Sequence, residues 1–289
     1  MKITRESVSD KSKDTLKNLL DTLRHQAYVL AFSHSDYLVS LGGTEKVLHE
    51  EQEELRKNSI SYIQVYSLEK EAGPPVSEHP DQIVGINVDS VPVGASTLLR
   101  LGLFLQMLQQ EQKVYACAIH IHHLMYFSLP ALKFLLKSVS PLRTRYFIHD
   151  YFGICTNHNL MKNNERFCGD ETLEDNCCEQ CCHYVDRKPH FEAVRAFFKL
   201  IRPEIVAPSE TASIIWSKYY PEHSKDIRIV PHQVICPVSA DQWGTDRNHQ
   251  APDYRPSIAY LGYESQIKGL ETWWRLCRDK EIRKYYRLF

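Results

Sequence analysis

Short apolar runs of strand length alternate with amphipathic stretches of helix length along nearly the whole chain, which limits it to very few architectures. Strand-like runs fall at Ala27–Ser33 (AYVLAFS), Ser61–Tyr66, Gln82–Val88, Ala116–Ile121, Arg145–His149, Ile205–Pro208 and Ile227–Val230. Helical spacing fills the segments between: Thr44 to Asn58 with Thr44 as the expected N-cap, Ala95–Gln110, Leu129–Lys137, Pro189–Lys199 and Glu210–Tyr220. Strands that alternate with helices in this way predict an α/β fold: a Rossmann-like parallel sheet with helices on both faces. Ligands of such sheets bind beyond the carboxyl ends of the strands, so the segments just after each strand are the functional candidates.

The expected organisation has four parts. Residues 1–25 are a polar extension ending in a short amphipathic helix (Leu16, Leu19, Leu20, Leu23). Residues 26–235 are the main domain, with a Cys-rich insertion at 155–183. Residues 236–256, rich in Pro, Gly and Asp, read as a linker. Residues 257–289 then start a second Rossmann-like unit, a strand at Ser257–Leu261 and a helix from Leu270, without finishing it.

Composition narrows the function classes. Lys and Arg number 35 against 36 Asp and Glu, a net charge of −1, so no nucleic-acid partner is expected. The apolar stretches at Leu98–Leu108 and Leu124–Leu136 are broken by Arg100, Gln106, Pro130 and Lys133, short of a membrane span. The polar start of the chain carries no signal core, and a cytoplasmic location is expected.

Five segments carry candidate chemistry. Gly42 and Gly43 precede a helix, where free N–H groups and the dipole suit a phosphate, although a plain turn has the same sequence. In Ile119–His123 (IHIHH), strand alternation sends His120 and His122 to one face, with His123 opening the loop; they suit metal, phosphate or sugar hydroxyls, but no carboxylate is near in sequence. His149 and Asp150 are adjacent on extended chain, so they point apart and suit orientation better than a catalytic dyad. Cys155, Cys168, Cys178 and Cys181 could supply a tetrahedral zinc site, against the alternatives of buried free thiols or redox disulfides. Lys268, before Gly269, stands between a strand and a helix, where it could reach a diphosphate. In addition, residues 124–146 carry Lys133, Lys137, Arg143 and Arg145 with no acidic residue, a candidate contact for anionic lipid.

The ordered set of SLGGTEK (Ser40–Lys46), IHIHH (Ile119–His123), IHDYFGIC (Ile148–Cys155), APSE (Ala207–Glu210), IRIVPH (Ile227–His232) and YLGYESQIKG (Tyr260–Gly269) resembles the family 4 glycosyltransferases of bacterial O-antigen and capsular polysaccharide assembly. The resemblance covers roughly residues 26–275 and implies the amino-terminal half of a GT-B fold. It implies retaining transfer of a sugar from a nucleotide-sugar donor to a glycan or lipid-linked glycan; the basic segment 124–146 adds the cytoplasmic face of the inner membrane as a candidate location. By the same resemblance Gly42 and Gly43 approach the donor phosphates, His122 contacts the donor sugar, and Lys268 neutralises the diphosphate leaving group. His123, His149 and Asp150 fall on the acceptor side, and no catalytic divalent metal is expected. The chain departs from the family where Tyr263 and Glu264 follow Gly262 in place of an Arg, and in having no pair of glutamates eight apart after Lys268. On that account low turnover is expected of this chain, with a partner chain supplying the donor domain as one alternative. A non-catalytic glycan- or lipid-binding subunit with a structural zinc is the other.

Overall fold

A computed structural model describes residues 5–69, 81–168, 176–232, 255–261 and 264–289. The chain divides into two compact units, 1–233 and 234–289. The first is a Rossmann-like α/β fold built on an eight-stranded sheet.

In chain order it comprises α1 (Arg5–Thr22), β1 (Ala27–Ser33), α2 (Gly43–Lys57), β2 (Ser61–Ser67), β3 (Ile83–Val88), β4 (Val91–Thr97), α3 (Leu98–Glu111), β5 (Tyr115–Ile121), α4 (Leu129–Val139) and β6 (Thr144–Phe147). A small hairpin, β7 (Met161–Lys162) with β8 (Arg166–Phe167), and the short α5 (Asn176–Glu179) follow. Then come α6 (Tyr184–Ile201), β9 (Glu204–Ala207), α7 (Glu210–Tyr219) and β10 (Arg228–Ile229). The sheet order is β10-β9-β6-β5-β1-β2-β3-β4, parallel from β10 to β2 and antiparallel at β2–β3 and β3–β4.

The strand order reverses direction at β1. From there the chain first builds outward through β2, β3 and β4, then returns to place β5 on the other side of β1 and continues to β10. The carboxyl ends of β1 and β5 therefore mark the topological switch point, where ligands of doubly wound sheets bind.

The two faces of the sheet differ in chemistry. One carries the main core: Leu30 and Phe32 of β1, Ile63 and Val65 of β2, and Ile119 and Ile121 of β5 pack with Leu101 and Leu105 of α3, Leu132 and Leu135 of α4, and Phe198 of α6. Gly102 permits the close approach of α3 to α4, because a Cβ there would stand 3.3 Å from the Leu135 Cα. The other face has a small apolar cluster of Val29, Ala31, Tyr62 and Ala118 beneath Leu55 of α2. The rest of that face is polar, with Gln64, His120 and His122 all buried.

Two expectations require correction. Ala95–Gln110 is not one helix: Val91–Thr97 is a strand, joined to β3 by a two-residue turn in which Asp89 and Ser90 both adopt positive φ (48° and 67°). Such tight hairpin turns usually carry Asn-Gly, so Asp-Ser conceals one. Thr97 ends the strand and caps α3, accepting from the Arg100 N–H at 3.3 Å. Thr44 is likewise not an N-cap. Helix α2 begins one residue earlier, with Gly42 in the cap position and no side chain bonded there.

The second unit pairs β11 (Ser257–Ile258) in parallel with β12 (Arg287–Leu288), and α8 (Leu270–Arg278) and α9 (Lys280–Tyr285) lie between them in sequence. None of its described residues is buried. The expected linker lies outside the described residues except for Arg255 and Pro256.

Candidate functional site

At the switch point the strand ends are joined by hydrogen bonds. The N–H groups of His122 and His123 both donate to the Phe32 carbonyl, at 2.9 and 3.2 Å, so the end of β5 is held against the end of β1. The turn after β1 is tied down from beneath. Gln64 Nε2 donates to Ser33 Oγ (2.6 Å) and the Ser35 carbonyl (2.8 Å), and Asn87 Nδ2 donates to Asp36 Oδ1 and Gln64 Oε1, both at 2.7 Å.

Into this frame project the histidines. His34 meets His123 edge-on, with ring centroids 4.3 Å apart, and His123 Nδ1 lies 3.1 Å from Asp150 Oδ2. That Nδ1 has no aligned hydrogen-bond acceptor, so the contact with Asp150 is Coulombic in character. His149 continues the row, its ring 5.5 Å from His123 and stacked at 4.8 Å on His232 after β10. Burial alone would raise the Asp150 carboxyl, but His123 and the Phe152 N–H (2.9 Å) outweigh it and hold the pKa below the ordinary value. Burial, then the neighbouring imidazoles, lower His149 well below the usual histidine range.

Behind this row sits a second layer that the sequence did not suggest. Glu51 of α2 reaches the buried face of β5, its Oε1 2.7 Å from His120 Nδ1 and its Oε2 3.1 Å from His122 Nε2. Tyr62 donates its hydroxyl to Glu51 Oε2 at 2.8 Å, and His122 Nδ1 lies 2.9 Å from His149 Nε2. The carboxylate that IHIHH lacks locally thus comes from a helix some seventy residues earlier, at 71 positions from His122. The available signal was a lone Glu on the otherwise apolar stripe Val47, Leu48, Leu55. Burial pushes Glu51 up, but His120 and His122 outweigh it and keep its carboxyl well below the ordinary range. The His122 side chain is fully buried and both its nitrogens are engaged, so direct contact with a sugar would require one of these bonds to open.

The glycine loop meets the histidine row. Thr44, in the first turn of α2, is bonded through Oγ1 to His123 Nε2 at 3.1 Å, and Ser35 donates its hydroxyl to Glu45. Gly42 and Gly43 are exposed, and a Cβ on Gly43 would meet no atom within 4 Å. The amino end of α2 has no side-chain cap; Gly43 borders open space, whereas at Gly42 a Cβ would run into the Glu45 carboxylate.

The four predicted cysteine ligands converge, with an unforeseen companion. Cys155, Cys168, Cys178 and Cys181 line a single cavity of about 10 Å³ with Met161, Lys162 and Arg187. Cys168 Sγ donates to the Leu160 carbonyl at 2.9 Å, and the buried Arg187 donates from Nη1 to Cys178 Sγ at 2.7 Å. Burial raises the Cys155 thiol. Among the described residues, the His, Cys, Asp and Glu side chains whose ligand atoms come within 4.8 Å in a group of three are those of Glu51, His120 and His122.

Lys268 is exposed and belongs to the second unit. It ends a 3-10 turn, and Gly269 at φ 81° begins α8, a conformation that favours glycine there. In the basic segment, Lys133 and Lys137 are exposed beside the exposed Phe134 and Leu142. Arg145 and Arg143, by contrast, face Glu204 of β9 at 3.0 and 3.9 Å, a carboxylate that the local sequence does not contain. Among the described residues no helix is long and apolar enough to cross a membrane.

Comparison with known families found no matching family model, and comparison with curated proteins found no match.

Proposed function

We propose that this chain serves retaining glycosyl transfer of the family 4 type, from a nucleotide-sugar donor to a glycan or lipid-linked glycan of surface polysaccharide synthesis. The observation that carries the reading is the α2 amino end at Gly42–Gly43, which has no side-chain cap and is tied to the switch point by the Thr44–His123 bond; the Glu45 carboxylate beside Gly42 would have to turn aside for a phosphate. A phosphate there would gain free backbone N–H donors and the positive end of the helix dipole. His123 and Asp150, with His34 alongside, offer donors and acceptors suited to sugar hydroxyls. Departure of a nucleoside diphosphate develops negative charge, and a fixed cation lowers that barrier; the family resemblance gives this role to Lys268. The exposed basic face at Lys133, Phe134 and Lys137 suits a peripheral contact with the cytoplasmic face of the inner membrane.

The test is a panel of nucleotide sugars assayed for binding and slow donor hydrolysis, with Lys268→Ala alongside. The reading expects one donor to be preferred and its hydrolysis to fall in the variant. Unchanged hydrolysis would remove Lys268 from the site.

A second reading, a non-catalytic subunit with a structural zinc, is favoured by the convergence of four thiols with Arg187 on one cavity. A tetrathiolate zinc carries net negative charge, and a buried guanidinium would offset it.

A further inference from the structure

Of Glu51, His120 and His122 the sugar-transfer resemblance uses His122 alone, and it leaves the joint geometry of the three unassigned. We propose that they form a binding site for a divalent first-row transition ion, zinc in class, through Glu51 carboxylate, His120 Nδ1 and His122 Nε2.

Four observations carry the site. Three ligand atoms of suitable chemistry lie within 4.8 Å of one another. The carboxylate oxygens are 2.7 and 3.1 Å from the two nitrogens, whereas ligands of a tetrahedral zinc with bonds near 2.0–2.1 Å stand about 3.3 Å apart. To admit the ion the carboxylate would draw back slightly from both nitrogens, and the nitrogens would settle at the same spacing from each other. Two imidazoles with one carboxylate, and no sulfur, select such ions over calcium or magnesium.

The surroundings match those that fix a ligand set. His122 Nδ1 has His149 at 2.9 Å, and the Glu51 carboxylate accepts from Tyr62 at 2.8 Å. Phe147 stacks on the His122 ring, centroids 4.5 Å apart and 13° from parallel. The His120 and His122 side chains are 4% and 0% exposed, while Glu51 at 16% leaves an edge open for entry.

The proton balance is simple. A nitrogen that binds the ion must present its lone pair, so any proton it shares with Glu51 moves to the ring's other nitrogen or to solvent. For His122 the proton then lies on Nδ1 and is donated to His149 Nε2. No redox change occurs, and a fourth position is left for water.

The proposal is independent of sugar transfer, because its readout is metal binding alone. The experiment is titration of the full chain with Co2+, followed by visible and near-ultraviolet absorption. A nitrogen–oxygen site gives d–d bands, whereas thiolates at the cysteine cavity would add sulfur-to-metal charge transfer. The expected result is a d–d component that persists in Cys178→Ser and is weakened at least about tenfold in affinity in both Glu51→Gln and His120→Gln. Far-ultraviolet circular dichroism checks that each variant is folded, and either Glu51→Gln or His120→Gln suffices if the other is not. Absence of Co2+ d–d bands in the wild-type chain, or bands that disappear only with Cys178→Ser, would overturn the proposal.

Discussion

His122 Nδ1 lies 2.9 Å from His149 Nε2, joining the end of β5 to the segment after β6 inside the sheet's polar face. Burial lowers both imidazoles from their ordinary range. His149→Ala removes one partner and leaves a buried polar nitrogen on His122. The expected loss of stability is about 1–3 kcal/mol, read from urea unfolding midpoints. A loss within error of zero would mean that the pair contributes nothing to the native state.

Asp150 predicts a specific acid limb. Its folded pKa is depressed, so its stabilisation is complete above the unfolded carboxyl range, near 3.9 for Asp, and is lost as pH falls through the folded value. The difference in Tm between wild type and Asp150→Asn should be largest at neutral pH and shrink below about pH 4. A difference that stays constant through this range would show that charge on Asp150 is not what matters.

The cysteine cavity predicts metal content. The chain purified without chelator should carry zinc bound by thiolates, and Cys178→Ser should lower the zinc content by about one ion per chain. Elemental analysis that finds none, together with rapid alkylation of Cys155 in the native protein, would favour free thiols instead.

The basic face separates its charges into two classes. Lys133 and Lys137 are exposed, while Arg145 and Arg143 already have Glu204 nearby. At about 1 kcal/mol per lysine near an anionic surface, Lys133→Gln with Lys137→Gln should weaken cosedimentation with phosphatidylglycerol vesicles roughly tenfold or more. Arg145→Gln should change it much less. Equal effects would contradict the assignment of this face.

Much of the fold was legible because single elements carry their own pattern. The run Ala27–Ser33 and the helix Glu210–Tyr219 follow from local periodicity, with Ser209 as a side-chain cap bonded to the Ala212 N–H at 3.2 Å. The β3–β4 hairpin was hidden because Asp89 and Ser90 make a turn that usually calls for glycine, and because Val91–Thr97 runs directly into the apolar α3. The site was legible only in its row of loop residues. His122, His123, His149 and Asp150 each follow a strand, which sequence order can show. His34 follows β1 in the same way, but Glu51 joins the row, and Arg187 the cysteine cavity, through packing of distant elements, and no spacing along the chain encodes that. The same holds for Glu204 opposite Arg145, which turns part of an apparently unbroken basic stretch into a neutral pair.

Donor binding by wild type and Gly43→Val tests the central claim most directly. A side chain at Gly43 meets no atom within 4 Å, and that residue needs no left-handed backbone, so the variant should fold and melt like wild type. Calorimetric titration with a panel of nucleotide sugars should give saturable binding of at least one by the wild-type chain. The valine, standing where the phosphates approach, should weaken it at least about tenfold. Binding of equal affinity in the two proteins, or no binding to either, would contradict the account.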